Sequence, residues 1–523
     1  LNLRAATFMA GAWLAAWPGT ASAQQSADAA RLFVEHCAQC HGADRLGGTG
    51  PALVPESLAR LRQADAVAVI GHGRQQTQMP GFADRLGAAG IEALAAYIRS
   101  PLAQTPVWGM AEMLRTHVVA RPTETLPAKP VHDADPLNLF IVVEAGDSHV
   151  TVLDGDRFEP VVRFPSRFAL HGGPKFTPDG RFVFFASRDG WITKYDLYAL
   201  DVVAEIRAGL NTRNLAISAD GATVMVGNYL PHTVAVLSAA DLAPIKLINA
   251  ADRTGKTPSR VSAVYQAAPR NSFIVALKDI AELWEISWLT DPPPVFAGMV
   301  HNWEQGMVEG LREKGRFPIR RIALSQPLDD FFFDAGYRNV VGSARDGGRA
   351  VVVNLDVGRE IAEVAMPGLP HLGSGISWIR EGRRVMASPN LKEGTVSVID
   401  EKSWALTARI ATLGPGFFLR SHENTRYAWV DNAFSRDRDA IQIIDKDSLT
   451  VVHTLRPEPG RTASHVEFSR DGRYALLSIA EPDGALLVID AERLVPIKRL
   501  PMRKPSGKYN VFNKISRSDG TSH

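Results

Sequence analysis

Cysteine is nearly absent, with two among 523 residues. A zinc site built on two cysteine pairs is therefore excluded. Long apolar runs are missing too. The run near the start, Ala5 to Trp17, is shorter than the roughly 20 apolar residues that span a bilayer, and later apolar runs have the length of strands. A large charge of one sign is also missing, since the formal net charge is +2. That removes a general electrostatic hold on nucleic acid. The expectations are no nucleic-acid partner and no stable membrane anchor. The chain is too long for one ordinary domain, and its apolar share permits large cores.

What is present begins with Cys37-Ala38-Gln39-Cys40-His41, which holds both cysteines. C-x-x-C-H is the attachment motif of a c-type haem. Two thiols at this spacing bond to the two vinyl groups, and His41 falls under the iron as its proximal ligand. A redox dithiol would not require the following histidine. One covalent haem c per chain is expected, on Cys37, Cys40 and His41.

Arg4, the apolar run and Ala21-Ser22-Ala23-Gln24 form a charged segment, an apolar segment and an A-x-A cleavage site. Residues 1–23 therefore read as a signal peptide, and the expected location is the periplasm. Free thiols there would risk oxidation, and haem attachment consumes both.

Residues 24–105 read as a small all-α domain. Asp28 to His41 is predicted helical, with Phe33 and Cys37 four apart on one face. Ile91 to Ser100 carries Leu94, Ala95 and Ile98 at helical spacing. Between them lies Gln78-Met79-Pro80-Gly81-Phe82. This order resembles a class I cytochrome c, which makes Met79 the expected sixth iron ligand. His72 and His36 stay as alternatives. Residues 106–136 are a Pro-rich linker, with Pro106, Pro122, Pro127, Pro130 and Pro136.

From residue 137 to 523 the texture changes to short β-branched runs and turns. Val150-Thr151-Val152-Leu153-Asp154 recurs as Ile192 to Asp196, Val396 to Asp400, Ile441 to Asp445 and Leu486 to Asp490. Asp-Gly turns recur at Asp179-Gly180, Asp220-Gly221 and Asp471-Gly472. The spacing of about 42 to 45 residues is the period of a four-stranded propeller blade. Weaker units end near Ser238, Ile286 and Asp356, the last after an insertion. The expected fold is an all-β eight-bladed β-propeller, with seven blades as the alternative. Strands from the two ends of the region should share one blade. The Trp-Asp signature of the commonest propellers is lacking.

A cytochrome c domain followed by such a propeller resembles the cytochrome cd1 group, over nearly the whole chain. Local likenesses are Ala169-Leu170-His171-Gly172-Gly173, Thr257-Pro258-Ser259-Arg260-Val261 and Pro370-His371-Leu372-Gly373. The resemblance implies that the propeller holds haem d1 or its dihydro precursor non-covalently. The group contains nitrite reductases and dihydro-haem d1 dehydrogenases, the latter converting a propionate side chain to an acrylate. The reductase motif Phe-Leu-His-Asp-Gly-Gly resembles Phe331-Phe332-Phe333-Asp334-Ala335-Gly336, so Phe333 is expected at the place of one distal histidine. Phenylalanine donates no proton. His465 and Tyr509 resemble the dehydrogenase branch.

The resemblance therefore implies these roles. His371 is the candidate base, and Tyr509 orients the reacting side chain. His465 and His171 are both candidate ligands of the d1 iron. Arg188, Arg213, Arg260 and Lys278 face the d1 carboxylates. The implied partners are dihydro-haem d1, a small periplasmic electron-acceptor cytochrome, and d1-handling proteins such as the cd1 nitrite reductase. A nitrite reductase and a non-catalytic d1 carrier stay as alternative functions.

Overall fold

The computed structural model describes residues 19–48, 50–58, 61–73, 79–104, 106–297, 311–313, 315–343, 348–517 and 519–520. The charged and apolar segments of the expected signal peptide lie outside these residues. So does most of the segment before Met79, and so do residues 298–310 of the insertion. The chain divides into two units, residues 1–74 with 80–103, and residues 75–79 with 104–523. Among the described residues, no helix is long and apolar enough to cross a membrane.

The first unit is helical: Gly19–His36, Ala38–His41, Pro55–Leu58, Gln63–His72 and Ala83–Tyr97. Phe33, Leu94, Ala95 and Ile98 are buried, as a 3.6-residue period requires of one face. The buried Arg45 guanidinium donates to the carbonyls of Tyr97 and Ser100, so the loop after the haem motif is tied to the closing helix.

The second unit is an eight-bladed propeller of four-stranded antiparallel blades. Blade 1 takes Leu139–Glu144, His149–Asp154 and Glu159–Pro165 from the start of the region. Its innermost strand, Pro505–Asn510, comes from the end. Tyr509 pairs with Ile141 across this junction. The shared blade therefore closes the ring, and few edges are left open.

The recurring aspartate has a physical cause. It ends the third strand of a blade and caps the hairpin that follows. Asp154 Oδ1 accepts from the N–H groups of Asp156 and Arg157, and Asp490 Oδ1 from those of Glu492 and Arg493. Four residues on, Phe158, Leu200, Trp404, Leu449 and Leu494 all have positive φ. The Asp-Gly turns join first to second strands, with Thr177, Ser218 and Ser469 donating to Asp179, Asp220 and Asp471. The insertion sits inside blade 4, between Glu282–Ser287 and Ile319–Ala323.

Residues 106–136 are not all irregular. Met110–Thr116 is a helix, and Val118–Val119 adds a fifth strand to blade 2 along Asp201–Arg207. Trp108 donates to the Arg207 carbonyl, and Met113 is fully buried beside blades 2 and 3. His117 and His132 bond backbone carbonyls of the propeller and have a structural role.

Candidate functional site

In the first unit the haem motif is preorganised. His41 Nδ1 lies 2.8 Å from the Pro51 carbonyl. A carbonyl only accepts, so Nδ1 carries the hydrogen and Nε2 keeps the lone pair that would bind iron. Gly50 lies against the ring, where a Cβ would come within 2.8 Å of Cε1. Burial pushes the Cys37 thiol up to about 11, helped by Cys40. A redox dithiol needs the opposite shift. Cys37, Cys40 and His41 thus fit a covalent haem. His72 is exposed at the end of its helix. Met79 falls in the second unit of the chain division.

The second site lies in the propeller channel, along the innermost strands and the turns that lead into them. His371 precedes the innermost strand of blade 6, Ile376–Arg380. Its Nδ1 lies 2.7 Å from the Phe417 carbonyl, so Nδ1 is the donor and Nε2 is left basic. The ring stacks on Phe417 at 4.1 Å. Burial lowers its pKa below the usual histidine value, with Asp330 opposing and Arg213 and Arg420 adding to the fall. Asp330 is itself fixed, accepting from Tyr265 Oη at 3.0 Å and from Gly373 N at 2.7 Å.

An arc of ring contacts runs on from His371. Phe417 meets Phe418 at 4.5 Å, Phe418 meets His465 at 4.4 Å, and His465 meets Tyr509 at 5.2 Å. His465 is the unusual member. It interrupts the pairing of Ala463–Phe468 with Tyr474–Ile479 between Ser464 and Val466, and its φ is 48°. A bulge of this kind re-aims a side chain, and the left-handed backbone costs about 1–3 kcal/mol for a non-glycine residue. The backbone is held in this form from both sides: Asp431 accepts from its N–H, and Lys508 donates to its carbonyl. Asp431 also accepts from Phe417 and Phe418, so one buried carboxylate positions the whole arc. Burial raises the Asp431 pKa.

The His465 ring is fully buried, and neither nitrogen has a hydrogen-bond partner among the described residues. An unpaired buried polar group costs about 1–3 kcal/mol. Burial, and then the charges of Lys508, Arg420 and Lys514, hold the pKa well below the usual histidine value. The imidazole is therefore neutral with a free lone pair, the state a metal-binding histidine needs. His171 is placed differently. Its Nδ1 lies 2.8 Å from the Arg213 carbonyl. Its Nε2 accepts from Arg188 at 2.8 Å and from Arg213 at 3.1 Å. Arginine only donates, so both guanidinium groups compete with a metal for that lone pair.

The four cations named from the sequence lie on the blade 2 to blade 4 side. Arg188, Arg260 and Lys278 all lie within 6 Å of the Tyr229 ring, at 5.9, 5.7 and 5.7 Å. Arg260 also pairs with Asp279 and Lys278 with Asp329. Arg213 Nε donates to the Ser262 carbonyl at 2.8 Å. Tyr509 packs on Gly173, where a Cβ would lie 3.1 Å from its ring, and burial pushes its hydroxyl up to about 12.

Sequence reasoning missed a buried basic group on the opposite side. Arg420 is 3% exposed, bonds Ser374 Oγ and the Leu419 carbonyl, and has no partner for Nε among the described residues. Lys508 is fully buried and donates to Ser478 Oγ at 2.6 Å. Burial lowers the pKa of Arg420, Lys508 and Lys514, and Glu467 opposes it at all three, joined by Asp431 at the first two. In sequence Arg420, Glu467 and Lys508 are ordinary strand residues and Lys514 follows in the closing helix, and closing the ring is what brings them together. Asp330 left a weak signal, an Asp-Asp pair before a run of phenylalanines.

Phe333 requires a correction. It lies at the C-terminal end of its strand, Asp330–Phe333, packed against Phe331 at 5.5 Å and Tyr337 at 4.7 Å in the core between blades 4 and 5. It does not face His371. The rise of a strand puts it about 10 Å from Asp330, and Asp330 is the blade 5 residue whose charge reaches His371.

Comparison with known proteins gives a consistent picture. Residues 134–514 match the Cytochrome D1 heme domain family, and residues 24–98 match the family described as Cytochrome C oxidase, cbb3-type, subunit III. The chain is 54% identical over 492 residues to the dihydro-heme d1 dehydrogenase of Pseudomonas aeruginosa, covering 94% of this chain and 95% of that protein. To the nitrite reductase of Stutzerimonas stutzeri it is 22% identical, with 95% and 94% coverage. It is also similar to the solved structure of dihydro-heme d1 dehydrogenase NirN in complex with DHE. There the TM-score is 0.86 and the identity 53%, with 93% of this chain and 99% of that chain covered.

Proposed function

This chain belongs to the Cytochrome D1 heme domain family as a dihydro-haem d1 dehydrogenase, and from that premise we propose how its residues carry the reaction. It is an oxidoreductase that binds dihydro-haem d1 in the propeller and carries a cytochrome c domain for electron transfer. The substrate loses two hydrogens from a propionate side chain, which becomes an acrylate. The observation that carries the assignment of roles is the pair of channel histidines in opposite states. His371 has its Nδ1 fixed and its Nε2 basic, while His465 is bare at both nitrogens.

His371 takes the proton from the side chain. His465 binds the substrate iron, because its lone pair has no competitor, whereas the guanidinium groups of Arg188 and Arg213 occupy that of His171. On this proposal His171 is a positioning residue. Arg188 and Arg213 receive the peripheral carboxylates through N–H groups other than those that hold His171, while Arg260 and Lys278 exchange Asp279 and Asp329 for the substrate. Tyr509 stays protonated and orients the reacting side chain. Cys37, Cys40 and His41 would hold the covalent haem, and Met79 would supply a further protein ligand to its iron. That haem supplies a one-electron store. Desaturation releases two electrons, so an external acceptor takes electrons in each turnover, and a small periplasmic cytochrome suits that task. Export by the N-terminal segment would place the protein in the periplasm beside the cd1 nitrite reductase that needs the product.

His465→Ala is expected to change the absorption spectrum of bound dihydro-haem d1. An unchanged spectrum would remove His465 from the iron. His371 is lowered by burial, so its basic form persists below the ordinary histidine pKa of about 6.5. As pH falls, kcat/KM should therefore hold until below 6.5 and then drop, with Asp330, Arg213 and Arg420 setting how far below. An acid limb above 6.5 would argue against an unassisted His371. The function itself is tested by turnover of dihydro-haem d1 with a one-electron acceptor. Nitrite reduction by the d1-loaded protein, without desaturation of the precursor, would overturn it.

A further inference from the structure

We propose that the protons released by desaturation leave the channel through Asp330, Tyr265 and Lys175, into a polar cavity at the far end of the propeller. This route rests on His371 being the base. The reaction breaks two C–H bonds and forms one C=C bond. Two electrons go to one-electron acceptors and two protons remain to be removed. The substrate fills the end of the channel at which His371 sits, so a base there needs an outlet on the other side.

The geometry supplies one. Asp330 acts on His371 by its charge and holds the same turn through Gly373 N. Its other oxygen accepts from Tyr265 Oη at 3.0 Å. Lys175 lies over the Tyr265 ring, 5.9 Å from Nζ to centroid. The three residues come from the innermost strands of blades 5, 4 and 2.

Tyr265 and Lys175 also line a cavity of about 450 Å³. Its other walls include Phe332, Phe333, Asp334 and Lys514. Asp330 begins the strand that Phe333 ends, so the cavity lies at the opposite end of the channel from His371. The space is large enough for several waters and has polar partners for them.

The chemistry of each group suits a relay. Lys175 first gives a proton to cavity water; Asp330 then takes a proton from His371 Nε2 and passes it to the Tyr265 hydroxyl, which releases its own to the neutral Lys175 amine. Burial and Asp330 keep the Tyr265 pKa well above the usual value, so the hydroxyl relays a proton without remaining ionised. Burial and the neighbouring Arg420 bring Lys175 down to about 8, within reach of exchange at neutral pH. The relayed proton restores the Lys175 ammonium, and every group returns to its starting state.

The test uses the full-length protein with its covalent haem, dihydro-haem d1 as substrate and a one-electron acceptor. Tyr265→Phe keeps the ring and removes the hydroxyl. It should lower multiple-turnover rates by about tenfold or more, leave the spectrum of bound substrate unchanged, and raise the solvent deuterium isotope effect. Millimolar imidazole, a diffusible proton carrier, should restore much of the rate. Lys175→Met is the second variant and should behave in the same way. If both variants turn over at the parent rate with the parent isotope effect, the route is wrong. If they do so while His371→Ala is inactive, the route alone falls. If His371→Ala also turns over normally, the base assignment falls with it.

Discussion

His371→Ala is expected to bind dihydro-haem d1 with its spectrum unchanged and to turn it over about 10²–10⁴-fold more slowly. That range corresponds to about 3–5 kcal/mol of transition-state stabilisation. It follows from the hydrogen bond at Nδ1, which leaves Nε2 as the proton acceptor, and from burial, which keeps the ring neutral. Binding should survive because the iron and carboxylate contacts are assigned to other residues, on blades 2, 3, 4 and 8. His371→Gln should be as slow as the alanine variant, since an amide does not act as a base near neutral pH. The measurement is kcat with excess acceptor, alongside equilibrium titration of the substrate. Turnover within a factor of two of the parent would exclude His371 as the base.

The second large effect concerns electron exit. Replacing both Cys37 and Cys40 with alanine should abolish covalent haem and reduce multiple-turnover activity with a cytochrome acceptor to background. Binding of dihydro-haem d1 should be unaffected, because none of its proposed contacts lies in residues 1–103. The two thiols, the buried His41 with its Nδ1 occupied and the close approach of Gly50 all fit a bound haem. Haem staining of the denatured protein reports attachment, and turnover reports the consequence. Full activity in a chain without covalent haem would show that electrons leave by another path.

Much of this architecture was legible because its signals are local. The haem motif is five consecutive residues. The aspartates that end third strands are readable because each caps its own hairpin, as Asp154 and Asp490 do, and their spacing counts the blades. The joining of the two ends of the propeller was legible from a strand-length tail after Asp490. The site was legible only in part. His371, His465 and Tyr509 were marked by resemblance, and the structure joins them through Phe417 and Phe418. The backbone at His465 was not legible, because its positive φ is imposed by Asp431 on blade 7 and by Lys508 on blade 1. Arg420 and Lys175 were missed for a related reason. A charged residue in a strand reads as a surface residue until eight blades close around it.

Phe333 taught the opposite lesson. Its motif pointed toward the dehydrogenase activity, yet the side chain packs between blades and faces neither His371 nor His465. The difference of 54% against 22% identity carries the distinction from nitrite reductase instead.

The central claim is that a propionate of dihydro-haem d1 is desaturated in the propeller and that electrons leave through the covalent haem. The most direct measurement is an anaerobic single turnover. The oxidised full-length protein is mixed with dihydro-haem d1 without external acceptor, and both chromophores are followed by absorbance. The account predicts that covalent haem becomes reduced as the substrate spectrum shifts, with one electron stored per chain and the second released only when acceptor is added. Substrate that binds and never changes, or that is desaturated while the covalent haem stays oxidised, would contradict it.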